Sequence, residues 1–229
     1  MKLAIVIPAY NEEETIKDVL LGLPKKIADV DEIISIVVDD GSSDKTYTIS
    51  KECASFAVRH IVNLGVGAAT TTGIEAAKKL KTDIVVTIDA DGQHNPKDIE
   101  KLLQPILGKK ADVVIGTRML DSKGMPALKI FGNWMMNVMT LLIFHKWSTD
   151  SQSGMKAFNK KSLRKMCFHA MGYEICSEII GEIKRNKLKL KEVPIEVIYS
   201  DYSKMKGQNF INAVNIFTRS IAIKISGKK

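Results

Sequence analysis

Cysteine is scarce in this chain: three in 229 residues, Cys53, Cys167 and Cys176, none at a paired spacing. That excludes a disulfide framework and points to reduced thiols, as in a cytoplasmic compartment. Long apolar runs are missing as well. The longest uncharged stretch, Ile130 to Phe144, is too short to span a bilayer and carries Asn133 and Asn137. Met1-Lys2 runs straight into a short apolar segment, so no signal peptide is expected. Acidic residues are in deficit, 26 against 34 basic ones, and the net charge of +8 calls for an anionic partner. Much of the excess lies late, in Lys184 to Lys191, Lys204, Lys206, Arg219, Lys224, Lys228 and Lys229. Nucleic acid, a phosphorylated substrate and an anionic bilayer surface all fit that balance. Aromatics are only 6% and form no base-stacking set, which disfavours nucleic acid. No linker, repeat or low-complexity tract interrupts the chain, so residues 1–229 read as a single domain.

What is present is a folded-protein composition, 45% hydrophobic and 26% charged, with a clear rhythm in the first half. Leu3–Ile7, Ile33–Val38, Val58–Val62, Ile84–Ile88 and Val113–Ile115 are short apolar runs suited to buried strands. Between them lie amphipathic stretches at Glu12–Leu23, Asp44–Phe56, Gly67–Leu80 and Pro96–Leu107. This alternation predicts an α/β fold, a mostly parallel central sheet with helices on both faces. Ligands of such folds sit at the carboxyl ends of the strands. In the second half, a helix is expected over Pro126 to Phe144, then a loop over Asp150 to Phe158 leading to a short strand. Helices follow near Lys160–Phe168 and Glu174–Asn186, a strand at Leu188–Val197 and a terminal amphipathic helix at Gln208–Ile225.

The polar motifs cluster at those carboxyl ends. The run from Asp83 ends in Asp89-Ala90-Asp91, two carboxylates one residue apart on one face of a strand. Hard oxygen ligands at that spacing suit Mg²⁺ or Mn²⁺, and a metal held this way binds a diphosphate. The plainer alternative is a polar strand-to-helix turn with Asn95-Pro96 opening the next helix. Pro8-Ala9-Tyr10-Asn11-Glu12 follows the first strand; helix-dipole complementation accounts for Glu12 and Glu13 but not for Pro8 and Tyr10, which could wall a base or ribose. Asp39-Asp40-Gly41-Ser42-Ser43-Asp44 follows the second. Ser43 or Asp44 can cap a helix, and two further acids exceed what capping needs, so one is expected to meet a ligand. The glycine-rich turn Asn63-Leu64-Gly65-Val66-Gly67 makes a poor dinucleotide fingerprint and reads better as a tight turn with close helix packing. Arg118, after the fifth strand, is placed to hold a diphosphate or acceptor phosphate through its planar fork, or else a surface salt bridge. Asp150 opens a polar loop where a cap or turn former is the ordinary role. His94 adjoins the acidic pair, while His60, His145 and His169 read as structural.

Taken in order, VIPAYNE, VVDDGSSDKT, NLGVGAATTTG, IDADGQHNP, IGTR, DSQSGMKAF and the late Ser203-Lys204 resemble the family 2 inverting glycosyltransferases of the GT-A fold. Within them the likeness is to polyprenyl-phosphate enzymes such as the dolichyl-phosphate mannose and glucose synthases. The resemblance implies a donor half, residues 1–118, and an acceptor half, residues 119–229. It implies a nucleotide-sugar pocket of Pro8, Tyr10, Glu12, Val38, Asp40 and Ala90, and a Mg²⁺ or Mn²⁺ site of Asp89, Asp91 and Gln93 against the donor diphosphate. Arg118 would contact phosphate and Lys204 would close over the donor. The chain departs from the pattern in three places. The usual SGFR is Ser153-Gly154-Met155-Lys156, so the arginine's role would pass to Lys156. The acceptor-phosphate arginine is Lys129, a cation without bidentate geometry. Ser200-Asp201-Tyr202 replace the arginines common before the SK pair.

The function so implied is transfer of one sugar from a nucleotide diphosphate sugar to a polyprenyl (dolichyl) phosphate. The segment Gly92 to Pro96 leans toward UDP-glucose or UDP-N-acetylglucosamine over GDP-mannose. Asp91 and Arg118 would be catalytic; with a hydroxyl acceptor, the alternative chemistry, Asp150 would be the base. A catalytically silent sugar-nucleotide binder is the remaining reading. With no membrane span, the lipid would be met peripherally at the cytoplasmic membrane face. The Phe131–Phe144 face and basic C-terminal helix suit that, or else pack on the domain or on a second subunit.

Overall fold

The computed structural model describes residues 1–120, 125, 127–198 and 218–222. Lys204 and most of the expected terminal helix, apart from residues 218–222, lie outside the described residues. Strands β1 (Lys2–Ala9), β2 (Glu32–Asp39), β3 (Phe56–Arg59), β4 (Ile84–Thr87), β5 (Val113–Thr117), β6 (Lys156–Asn159) and β7 (Leu190–Pro194) form one sheet. Its seven strands run in the order β3-β2-β1-β4-β6-β5-β7. All pairings are parallel except those of β6, which runs antiparallel to both β4 and β5. The helices are α1 (Ile16–Gly22), α2 (Thr46–Cys53), α3 (Val66–Lys79), α4 (Asp98–Leu107), α5 (Ala127–Phe144), α6 (Lys160–Lys165) and α7 (Ile175–Arg185).

Strand alternation divides the core in two. Leu3, Ile5 and Ile7 of β1 face one side with Val86, Ile88, Leu102 and Leu103, under α1 and α4. Ala4 and Val6 face the other with Val38, Ala69, Ile74, Ile179 and Ile183, under α3 and α7. Both faces are buried, which is why the strands read as continuous apolar runs. The third strand corrects the expected Val58–Val62. Its ladder ends at Arg59, beyond which Asp40 takes the ring of His60 and the N–H groups of Leu64 and Gly65. That pulls the chain out of the sheet and leaves Ile61 100% exposed.

The glycine-rich turn is a packing device, as its sequence suggested. Ala68 N–H donates to Met171 O, so the start of α3 is closed by the loop before α7. A Cβ on Gly67 would sit 2.4 Å from Ala170 O, against backbone that has no side-chain freedom to yield. Gly132, inside α5, has nothing within 4 Å of where its Cβ would be. The two glycines therefore respond oppositely to alanine. Gly132→Ala should stabilise by about 0.5–1 kcal/mol through helix propensity. Gly67→Ala should destabilise by roughly 1–3 kcal/mol through overpacking, despite the same propensity gain. Urea denaturation of both variants checks the opposite signs.

Candidate functional site

Three loops at the carboxyl ends of β1, β2 and β4 are tied together by side-chain bonds to backbone. Asn11, in the left-handed region at φ 53°, receives at Oδ1 the Ser43 N–H, and its own N–H donates to Ser42 Oγ. Glu12 N–H donates to Thr46 Oγ1, and Thr46 N–H to Asp44 Oδ1. Thr15 Oγ1 lies 2.8 Å from Ala90 O and 3.1 Å from Glu12 Oε2, binding the first loop to the acidic turn. Of the expected pocket members, Glu12, Ala90 and the half-exposed Tyr10 lie together on this rim. Pro8 and Val38 are partners in the β1–β2 register, and Val38 is fully buried among core residues. The surface expected from Val38 is therefore absent.

The adjacent acids of β2 are both engaged within the protein. Asp39 is fully buried with Arg59 Nε 3.1 Å away. Asp40 accepts from Leu64 N–H at 3.0 Å, Gly65 N–H at 2.7 Å and His60 Nδ1 at 2.7 Å. A nucleotide contact at Asp40 would add to these bonds.

Asp89 and Asp91 stand at the end of β4 in unequal environments. Burial works against the charge of Asp89, but the bond and charge of His94, with the charges of Lys156 and Arg118, hold its carboxyl below the usual range. Burial and the neighbouring Asp89 push Asp91 the other way, above it, with Glu12 adding to the repulsion and the Gln93 N–H relieving part of it. Gln93 does not stand apart as a third ligand: its N–H and Nε2 donate to the two oxygens of Asp91 at 2.9 and 2.6 Å. Among the described residues, no three His, Cys, Asp or Glu side chains converge as a metal cage. Two like charges crowded together suit a hard divalent cation whose remaining positions go to phosphate and water.

Asp150 is held by Arg118. It is fully buried and accepts from Arg118 N–H at 3.0 Å, Nε at 2.7 Å and Nη2 at 2.7 Å, a bidentate clasp reinforced by backbone. Burial opposes its ionisation, yet the charge and bonds of Arg118 keep its carboxyl below the usual range. That is the wrong direction for a general base. Lys156, on β6, is 1% exposed; its Nζ donates to Ser153 O and lies 3.6 Å from Cys176 Sγ. It is a buried cation beneath the acidic pair, which does not fit direct contact with an acceptor. Lys129 lies in the first turns of α5 and is partly exposed.

Three neighbours of the acidic pair carried no clear sequence signal. A Cβ on Gly154 would fall 2.0 Å from Asp89 Oδ2, so the glycine lets the carboxylate lie where it does. His94 is buried, with Nε2 3.3 Å from Asp89 Oδ2. Tyr173 is half exposed, its phenol raised by burial and then by the charges of Asp89, Asp91, Cys176 and Glu12, which places it beside the pair. Gly154 and His94 lie inside quoted motifs, whereas Tyr173 stands far along the chain in an unremarkable loop.

Residues 4–167 match the family model for glycosyl transferase family 2. The chain is a family 2 glycosyltransferase. It is 41% identical to the UDP-N-acetylglucosamine–dolichyl-phosphate N-acetylglucosaminyltransferase of Methanococcus voltae, over 96% of this chain and 95% of that one. It is 31% identical to a dolichyl-phosphate beta-glucosyltransferase of Trichomonas vaginalis, over 99% and 77%. The fold is that of GT-A enzymes: glucosyl-3-phosphoglycerate synthase from Mycobacterium tuberculosis, solved with Mn²⁺ and UDP-glucose, superposes with a TM-score of 0.71. That match spans 98% of this glycosyltransferase and 78% of the other chain at 22% identity.

The Arg118–Asp150 pair makes a prediction with a definite sign. The folded carboxyl titrates below its ordinary value of 3.8, so protons bind the unfolded chain more strongly. The stability it confers is complete above that value and is lost as pH falls through the folded pKa. Asp150→Asn should cost roughly 3–5 kcal/mol near neutrality by stranding Arg118. Melting temperatures from pH 7 downward should show a shallower acid decline in the variant than in the parent.

Proposed function

We propose that this glycosyltransferase moves one sugar from a nucleotide diphosphate sugar to a polyprenyl phosphate, inverting the anomeric carbon, as a single GT-A domain. Residues 1–118 form its donor half and residues 119–229 its acceptor half. The observation that carries the reading is the Asp89–Asp91 pair, two carboxylates one residue apart at the end of β4, with His94 bonded to the first and Gln93 to the second. They would hold Mg²⁺ or Mn²⁺, which would supply positive charge to the leaving diphosphate. The Mn²⁺ and UDP-glucose in the mycobacterial structure support such a donor site. The dolichyl-phosphate acceptors named for the methanococcal and trichomonad relatives support a lipid phosphate. The methanococcal name, with the Gly92–Pro96 segment, supports UDP-N-acetylglucosamine or UDP-glucose as donor.

In this reading the chain's own work is positioning and charge. Tyr10, Glu12 and the backbone around Asp40 border the nucleotide. Arg118 presents its guanidinium to phosphate with its plane fixed by Asp150, and Lys156 adds positive field from below. Lys129 at the start of α5 meets the acceptor phosphate, whose second pKa near ~6 makes it a nucleophile at neutral pH without a base. A hydroxyl acceptor is disfavoured because Asp150 is clasped by Arg118, whose charge and bonds hold its carboxyl below the usual range. Among the described residues no helix is long and apolar enough to cross a membrane. The chain would approach the lipid peripherally at the cytoplasmic face, with Leu120, Phe131 and Trp134 exposed on the acceptor side.

The test is transfer by the purified protein with Mn²⁺, a polyprenyl phosphate and a panel of UDP- and GDP-sugars. Sugar-lipid should form with a UDP-sugar; GDP-mannose alone would reverse the donor assignment, and no transfer across the panel would end the acceptor reading. Asp91→Asn should keep a near-parental melting curve and lose on the order of 10²–10³ in turnover. Full activity in that well-folded variant would remove the acidic pair from the chemistry.

A further inference from the structure

His94 lies behind the acidic pair, 3% exposed, with one ring nitrogen engaged and the other not. Nε2 is 3.3 Å from Asp89 Oδ2, while Nδ1 is buried with no hydrogen-bond partner among the described residues. A ring placed only to fill space would be better apolar, since a buried nitrogen without a partner is destabilising. A carboxylate can only accept, so the contact places an N–H on Nε2, donating to Asp89.

The backbone beneath the ring is fixed from outside the loop. His94 forms a β-bridge with Val197, and Ile198 N–H donates to Gln93 O at 2.8 Å. Glu196 N–H donates to Asp98 Oδ2 at 2.7 Å, four residues beyond His94. Gly154 lies against the same carboxylate, where a Cβ would fall 2.0 Å from Oδ2. Asp89 therefore meets both an imidazole donor and a glycine surface.

We infer that His94 is a positioning residue, donating from Nε2 to fix the direction in which Asp89 presents its carboxylate to a divalent cation and donor diphosphate. This rests on the metal reading proposed above. Outer partners that orient a ligating side chain are worth about 10–100-fold in metal affinity when removed. A loop-filling role for the ring would instead move the melting temperature and leave cation binding alone.

Substitution can separate donor position from bulk. Glutamine carries its amide where Nε2 stands, asparagine where Nδ1 stands, and phenylalanine keeps the ring without a donor. The experiment measures Mn²⁺ affinity of the full chain by loss of the free-ion electron paramagnetic resonance signal, with UDP and separately with GDP. Melting curves without metal are recorded alongside. His94→Phe and His94→Asn should bind Mn²⁺ about 10–100-fold more weakly, while His94→Gln recovers most of the affinity. Should His94→Phe fail to fold, the Gln and Asn variants carry the comparison. Parental affinity in His94→Asn or His94→Phe, or equal weakness in His94→Gln, would overturn the inference. A parent protein that binds no Mn²⁺ with either diphosphate would instead overturn the metal reading, and this inference with it.

Discussion

Two carboxylates set one residue apart at the end of a buried strand repel each other, and much of the carboxyl-terminal rim answers that repulsion. Gln93 donates twice to Asp91 and His94 once to Asp89. Lys156, on the neighbouring strand β6, and Arg118, just past the end of β5, supply positive charge. The compensation is incomplete by design of the geometry: Asp91 remains above its ordinary range while Asp89 lies below it. Paired acids pushed apart in this manner mark sites where a cation or a proton is handled. Here the surrounding groups are hydrogen-bond donors and fixed charges.

The cations around the site are not interchangeable. Arg118 is planar, bidentate and oriented by a buried acid whose oxygens it satisfies. Lys156 is a point charge sealed in the sheet, able to act only through its field. The rim is also braced by neutral groups: Asn137 donates to Thr149 O and accepts from Ser151, while Glu192 receives Ser148 Oγ and Thr149 N–H. Those bonds pin both flanks of Asp150, so the clasp on Arg118 inherits rigidity from α5 and β7.

The donor side of the molecule was largely legible in its residues, because local pattern decides it. Apolar runs buried on both faces, acids at their ends and a helix after each turn are all read within short windows. The run ending at Val62 misled because its exit from the sheet is set by Asp40, some twenty residues earlier, through bonds no window contains. Lys156 was expected to take over the role of an arginine toward the acceptor phosphate; its burial follows from β6 lying between two other strands. Asp150 could be read as a base or a turn former, but its partner Arg118 lies in another strand's exit and is visible only in three dimensions. Gly154 and Tyr173 belong to the same class, residues whose meaning is a contact made at long range.

The insertion of β6 has a consequence for how the chain comes into being. Because β6 separates β4 from β5, the strands that carry Asp89 and Arg118 are not hydrogen-bonded to each other. Until residues 156–159 emerge and slot in, β4 presents an open, strongly apolar edge, and the two sides of the cleft have no fixed spacing. Non-local pairing of this kind closes late, after the loop entropy of a long intervening segment has been overcome. A nascent or truncated chain ending near Arg118 would therefore hold the acidic turn without the cleft, and would expose a strand edge prone to self-association.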